Sequence, residues 1–83
     1  MIRLSRIADY GIVLMTELAR AQRSMATPEL AERTRIAQPM AGKILKTLTR
    51  EGLLVSHRGA KGGYRLARQA SLVTVAEIIE ALD

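Results

Sequence analysis

Residues 53–68 break the rhythm of the chain, and that break constrains the fold more than any other feature. Leu53-Leu54-Val55-Ser56-His57-Arg58 reads as a strand, Gly59-Ala60-Lys61-Gly62-Gly63 as a tight turn, and Tyr64-Arg65-Leu66-Ala67-Arg68 as a second strand. The surrounding segments run in helical period. Ile7, Tyr10, Gly11, Leu14 and Leu18 recur at steps of three and four and predict a helix over 5–21 with Ser5 as its N-cap. Ile12 and Met15 lie off that face, which predicts a helix buried on two sides. Gln22 to Ala26 reads as a connector.

A short helix is expected over 27–33, with Thr27 as N-cap, Pro28 at the first helical position and Glu29 in the first turn. Thr34 to Ala37 makes a tight connection. A third helix follows over 38–51, opened by Gln38 and Pro39 and stopped by Gly52. Its apolar stripe is Ile36, Met40, Ile44 and Leu48, widened by Ala41 and Leu45. Lys43, Lys46, Thr47 and Arg50 fall on the remaining face. Thr74-Val75-Ala76-Glu77 is a capping box that opens a last helix over 74–82, with Val75, Ile78, Ile79 and Leu82 as its buried face. That helix reaches Asp83 without a glycine stop, as in a chain cut inside or just after it.

These elements predict one mainly α (α+β) domain over 1–83: a winged helix-turn-helix of three helices, a two-stranded β-hairpin wing at 53–68 and a fourth helix. The 83-residue length suits one domain and not two. With no cysteine and a single histidine, His57, the sequence offers neither a disulfide framework nor a metal cluster. No catalytic nucleophile–base pair or carboxylate pair stands out, so an enzyme is not expected. No apolar run approaches the ~18 residues of a membrane span, and the N-terminus lacks the apolar core of a signal peptide. A cytoplasmic chain with no membrane partner is expected.

Charge adds direction. The net charge is +5, and it is unevenly spread. Arg33, Arg35, Lys43, Lys46, Arg50, Arg58, Lys61, Arg65 and Arg68 stand in one stretch with a single acid, Glu51. A basic middle between neutral or acidic ends is the footprint of a polyanion-binding surface, or else a merely solvated face.

The third helix is the expected reader of a major groove, since its leading end reaches base edges. Gln38, Pro39, Met40, Gly42, Lys43, Lys46 and Thr47 are the candidates there. Gln38 matches a bidentate contact to adenine, and Lys43 a guanine edge or a phosphate. Met40 is first a core residue, with a thymine methyl as its other partner. Gly42 lowers helix stability and points to close approach of DNA or of the preceding helix. On the wing, Arg58, Gly59, Lys61 and Gly62 are the candidates, because an arginine on a glycine-rich loop suits a narrow minor groove. Arg35 and Arg50 are expected phosphate contacts. The wing glycines match neither phosphate-loop pattern for a nucleotide. His57 reads as a half-solvated strand residue, and Tyr10 and Tyr64 as core or interface residues, not a base-stacking ladder.

Several segments together resemble a known family. Leu4-Ser5, Asp9-Tyr10-Gly11, Leu30 to Thr34, Lys43 to Lys46, Glu51 to Ser56, Arg58 to Leu66 and Ile78 to Leu82 are similar to the IscR-type winged-helix regulators. His57 to Leu66 and the position of Pro39 resemble its SUF-system iron–sulfur assembly regulators. The resemblance covers essentially the whole chain, and Arg-Gly-x-x-Gly-Gly-Tyr is its most specific piece. It implies a homodimer on a roughly palindromic double-stranded operator near iron–sulfur cluster assembly or stress genes, acting as a repressor. It places the third helix in the major groove and Arg58 in the minor groove. It also implies a longer full-length protein, in which three downstream cysteines hold an iron–sulfur cluster and a long helix dimerises. No cofactor is expected within this chain. The family's namesake carries a charged side chain where this chain has Gly42, so its operator preference does not transfer.

The alternative is a winged-helix protein-interaction module without DNA binding, docking through its first and last helices. Double-stranded RNA fits less well, because its deep, narrow major groove excludes a helix.

Overall fold

A computed structural model describes residues 5–59, 62–69 and 72–83. Among these residues the chain forms α1 (Arg6–Ala21), α2 (Thr27–Thr34), α3 (Gln38–Arg50), β1 (Leu54–His57), β2 (Gly63–Leu66) and α4 (Val75–Leu82). β1 and β2 pair antiparallel, with Leu54 opposite Leu66, Ser56 opposite Tyr64 and His57 opposite Gly63. This is the mainly helical winged helix-turn-helix architecture.

The ends of the helices explain where they stop. Ser5 Oγ accepts from the Ala8 N–H at 3.0 Å and caps α1. The same hydroxyl donates to Asp83 at 2.8 Å, tying the start of α1 to the end of α4. Thr74 and Glu77 form the reciprocal capping box that opens α4. α3 closes with a paired cap: Leu53 N–H donates to Leu48 O at 2.9 Å, and Gly52 N–H to Thr49 O at 3.1 Å. One cap differs from the sequence reading. Ala26, not Thr27, is the N-cap of α2, and no side chain caps that end. Pro28 tolerates the second helical position as well as the first, because neither N–H has a partner within the helix.

The α2–α3 connection is held locally. The Thr34 hydroxyl donates to Leu30 O at 2.7 Å and accepts weakly from Ile36 N–H at 3.4 Å. Arg35 takes the left-handed conformation there, φ 61°. A non-glycine residue held so costs roughly 1 kcal/mol, which the buried Ile36 beside it offsets by packing.

The core gathers Leu14 and Leu18 of α1, Leu30 of α2, Leu45 and Leu48 of α3, Leu54 of β1 and Met25 between α1 and α2, all fully buried. Three apolar residues of the expected faces lie outside it: Ile7 is 42% exposed, Val75 52%, and Ile79 is half-buried away from the core cluster. The reason is the crossing of α1 and α4. Gly11 lets Leu82 and Ile78 come close, so the buried face of α1 turns toward Ala8, Gly11 and Met15 and leaves Ile7 outside. Val75, on the first turn of α4, stands at the mouth of an apolar groove beside Ile12 and Met15.

The segment expected as a plain connector is a structural member. Met25 N–H donates to Tyr64 O at 2.9 Å, and Tyr64 N–H to Met25 O at 2.8 Å. This bridge adds a third extended segment beside β2 and fastens the wing to the α1–α2 loop. Gly63 permits it. Its φ is +136°, and a Cβ there would run into the Met25 carbonyl carbon and oxygen and the Ala26 nitrogen.

Candidate nucleic-acid interface

α3 is divided cleanly by its period. Ala41, Ile44, Leu45 and Leu48 are buried, so Gln38, Lys43, Lys46 and Arg50 are left exposed on the opposite side. The exposed side forms one wall of a shallow groove of about 560 Å³, lined by Gln38, Pro39, Gly42, Lys43 and Lys46, with Thr27 and Tyr64 opposite. A second cleft of about 430 Å³ lies between α3 and the wing, where Lys46 and Thr49 face Ser56, His57, Arg58 and Tyr64.

The structure therefore brings together most of the residues singled out on α3. Met40 is half-buried against the core cluster and does not line the groove. The Thr47 hydroxyl turns inward along the helix, donating to Lys43 O at 3.1 Å, and receives Arg50 Nη2 at 3.4 Å. Arg35 is exposed in the turn before α3. On the wing, Arg58 is exposed just past β1, and Gly62 N–H donates to Gly59 O at 2.9 Å to close the turn. Lys61 lies outside the described residues. Thr27, Thr49, Ser56 and Tyr64 were not expected at the site. The only sequence signal for them is proximity to α3 and the wing, which becomes visible once α2 and β2 are packed.

The cations of the basic stretch divide into two groups. Arg33 is drawn onto the acidic flank, 3.4 Å from Glu17 and 3.5 Å from Glu29. Arg68 binds Glu77, and Arg23 binds Glu29 at 2.5 Å. The Arg23 guanidinium hydrogen-bonds the Glu29 carboxylate and holds it below the ordinary carboxylate range, as Arg68, helped by the Thr74 backbone, does for Glu77. These are exposed pairs and add little to stability. Arg35, Lys43, Lys46, Arg50 and Arg58 pair with no carboxylate among the described residues. The field beside α3 and the wing is thus uncompensated, while Arg33 and Arg68 contribute little to it. His57 accepts from Arg65 Nε at 2.8 Å.

Gly42 has a testable consequence for the scaffold. A Cβ at this position would meet only the Thr27 methyl, at 3.8 Å, an ordinary contact. Packing against α2 therefore does not require glycine. Gly42→Ala is expected to stabilise the fold by about 1 kcal/mol, raising the melting temperature by roughly 5 °C. A thermal melt followed by helical circular dichroism checks this, and a lower melting temperature would refute it.

The donors present do not fit an iron–sulfur cluster. The chain has no cysteine, and the described residues hold no group of three metal-ligating side chains. No helix among the described residues is long and apolar enough to cross a membrane.

Two helices joined by a tight turn, an exposed cationic third helix and a β-hairpin beside it define the winged helix-turn-helix class of DNA-binding domains. Residues 4–83 match the family model Rrf2, described as "Iron-dependent Transcriptional regulator", and the chain belongs to that family. The HTH-type transcriptional regulator IscR of Cereibacter sphaeroides is 36% identical over 85 residues, covering 98% of this chain and 55% of that protein. Among solved structures, T. potens IscR superposes with a TM-score of 0.90 at 32% identity, over 99% of this chain and 61% of that one. CymR, the global cysteine regulator of B. subtilis, superposes with a TM-score of 0.93 at 28% identity, over 100% of this chain and 66% of that one. The chain spans about half the length of the curated relatives it matches. The family is one of transcriptional regulators, not of enzymes.

Proposed function

We propose that this chain is the operator-reading domain of a transcriptional regulator and binds double-stranded DNA. The observation that carries this reading is the pair of adjoining grooves on either side of Lys46, lined by cations that no described carboxylate neutralises. Gln38, Pro39, Gly42 and Lys43 lie along the leading end of α3 and read base edges in the major groove, with Met40 and Thr47 at its margins. Arg58, with Gly59, Lys61 and Gly62 around it, enters the minor groove. Lys46, Arg35 and Arg50 hold phosphates. Gly42→Ala, which favours the helix, is expected to weaken binding several-fold, because its methyl group occupies space the duplex needs.

The wider reading rests on the family and on the resemblance of the wing. The chain acts in the cytoplasm, two copies sit on a roughly palindromic operator, and the regulator represses iron–sulfur cluster assembly or stress genes. A duplex titration tests the first requirement. The logarithm of affinity should fall linearly with the logarithm of salt, by about 0.9 per neutralised phosphate. Lys46→Ala should weaken binding equally on every sequence and make that slope shallower by about 1. A flat salt dependence would count against DNA binding, and a changed sequence preference would remove Lys46 from the phosphate contacts. A chain that ignores duplex DNA altogether would instead be a protein-interaction module.

A further inference from the structure

A helix in the major groove and a wing in the minor groove straddle one sugar-phosphate strand, because that strand is the wall between the two grooves. Whatever stands between helix and wing must therefore face phosphates. In this chain the two grooves meet along Lys46 and Tyr64, which line both of them. Lys46 is one of the proposed phosphate contacts; Tyr64 reads from the sequence as a core or interface residue.

Its surroundings say more. The Tyr64 backbone is held on both sides, by the Met25 bridge at 2.8 and 2.9 Å and by pairing opposite Ser56. Its ring is half-buried and packs on the core cluster. The phenol hydroxyl makes no hydrogen bond among the described residues, yet no described side-chain polar atom is both buried and unpaired. The hydroxyl therefore reaches solvent. A tyrosine fixed at backbone and ring, whose hydroxyl is paired by none of the described residues, at the rim of two cationic grooves, is a preorganised donor.

We propose that Tyr64 is a phosphate-binding residue: its hydroxyl donates to a backbone phosphate of the strand that passes between α3 and the wing, beside Lys46. This rests on the DNA-binding reading above. It assigns a specific job to the last residue of the Arg-Gly-x-x-Gly-Gly-Tyr motif, whose glycine Gly63 brings Tyr64 into register with Met25. The contact is neutral, so it positions the strand without displacing a counterion.

That neutrality gives a test. Tyr64→Phe keeps the ring, the packing and every backbone bond, and removes one oxygen. Binding is measured by fluorescence anisotropy on two mixed-sequence duplexes of about 30 base pairs, one A·T-rich and one G·C-rich, across a salt series. The expected result is a loss of roughly tenfold, the scale of one hydrogen bond to a charged group. The loss should be the same on both duplexes, with the salt slope unchanged and the melting temperature of the protein unmoved. Lys46→Ala, in contrast, should change the slope. Unaltered affinity of Tyr64→Phe would overturn the proposal, and so would a loss confined to one duplex, which marks a base contact. Wild-type chain that fails to bind either duplex would overturn the DNA-binding reading itself, a result distinct from a silent Tyr64→Phe in a chain that binds.

Discussion

Gly63→Ala is expected to destabilise the fold by about 3 kcal/mol, through strain at a backbone conformation open almost only to glycine and through collision with a fixed neighbour. The φ of +136° lies outside the left-handed basin that other residues visit. The new methyl group would strike the Met25 carbonyl, which cannot step aside because it accepts from Tyr64 N–H at 2.8 Å. Relief requires breaking the bridge that fastens the wing to the loop after α1, and with it the seat of the fully buried Met25. A domain of this size has a net stability of only about 4–12 kcal/mol, so the loss is a large fraction. The melting temperature should fall by on the order of 15 °C. Gly59→Ala separates the two causes. Its φ is +109°, but none of the described residues outside its chain neighbours comes within 4 Å of a Cβ there, so it should cost only about 1 kcal/mol. Equal losses at both glycines would show that collision with Met25 contributes nothing.

The largest expected effect on binding is at Arg58. The side chain is exposed at the end of β1, beside the cleft that separates the wing from α3. No carboxylate among the described residues pairs with it, so no bond within the protein has to break when it enters DNA. A narrow A·T-rich minor groove concentrates negative potential, and an inserted guanidinium gains most there. Arg58→Ala is expected to weaken binding roughly 30-fold on a duplex with an A·T-rich minor groove under the wing, about 2 kcal/mol. On a G·C-rich duplex the loss should be only several-fold. Parallel titrations of the two duplexes at one salt concentration check this. An equal loss on both would make Arg58 a plain phosphate contact.

The variants also sort the scaffold from the interface. Gly63→Ala is expected to act on the fold, Arg58→Ala on groove selectivity, Lys46→Ala on counterion release, and Tyr64→Phe on a neutral phosphate bond. Gly42 is the one position where stability and binding are expected to move in opposite directions. Its methyl group favours the helix and meets only the Thr27 methyl, yet projects into the groove where the duplex is proposed to sit.

Local chemistry made much of this legible in the residues. The Thr74 and Glu77 capping box, the Ser5 cap and the glycine after α3 are satisfied by neighbours a few residues away, so short-range pattern reveals them. The same holds for the two faces of α3, because one turn of helix decides which side chains share a side. The glycine-rich break at 59–63 announced a hairpin for the same reason: backbone handedness is a property of single residues. Tertiary packing decided the rest. Met25 joined β2, Ile7 and Val75 were left exposed, Arg33 and Arg68 were withdrawn into ion pairs with Glu17, Glu29 and Glu77, and Tyr64 was set between the two grooves. Apart from the Arg33–Glu29 pair, an i,i+4 contact within α2, each depends on residues brought together from separate elements, by the packing of α1 against α2 and α4 or the docking of the wing on the loop after α1. Periodicity within one segment carries no information about the rotation of its neighbour, so those contacts exist only once the helices and the hairpin are in place.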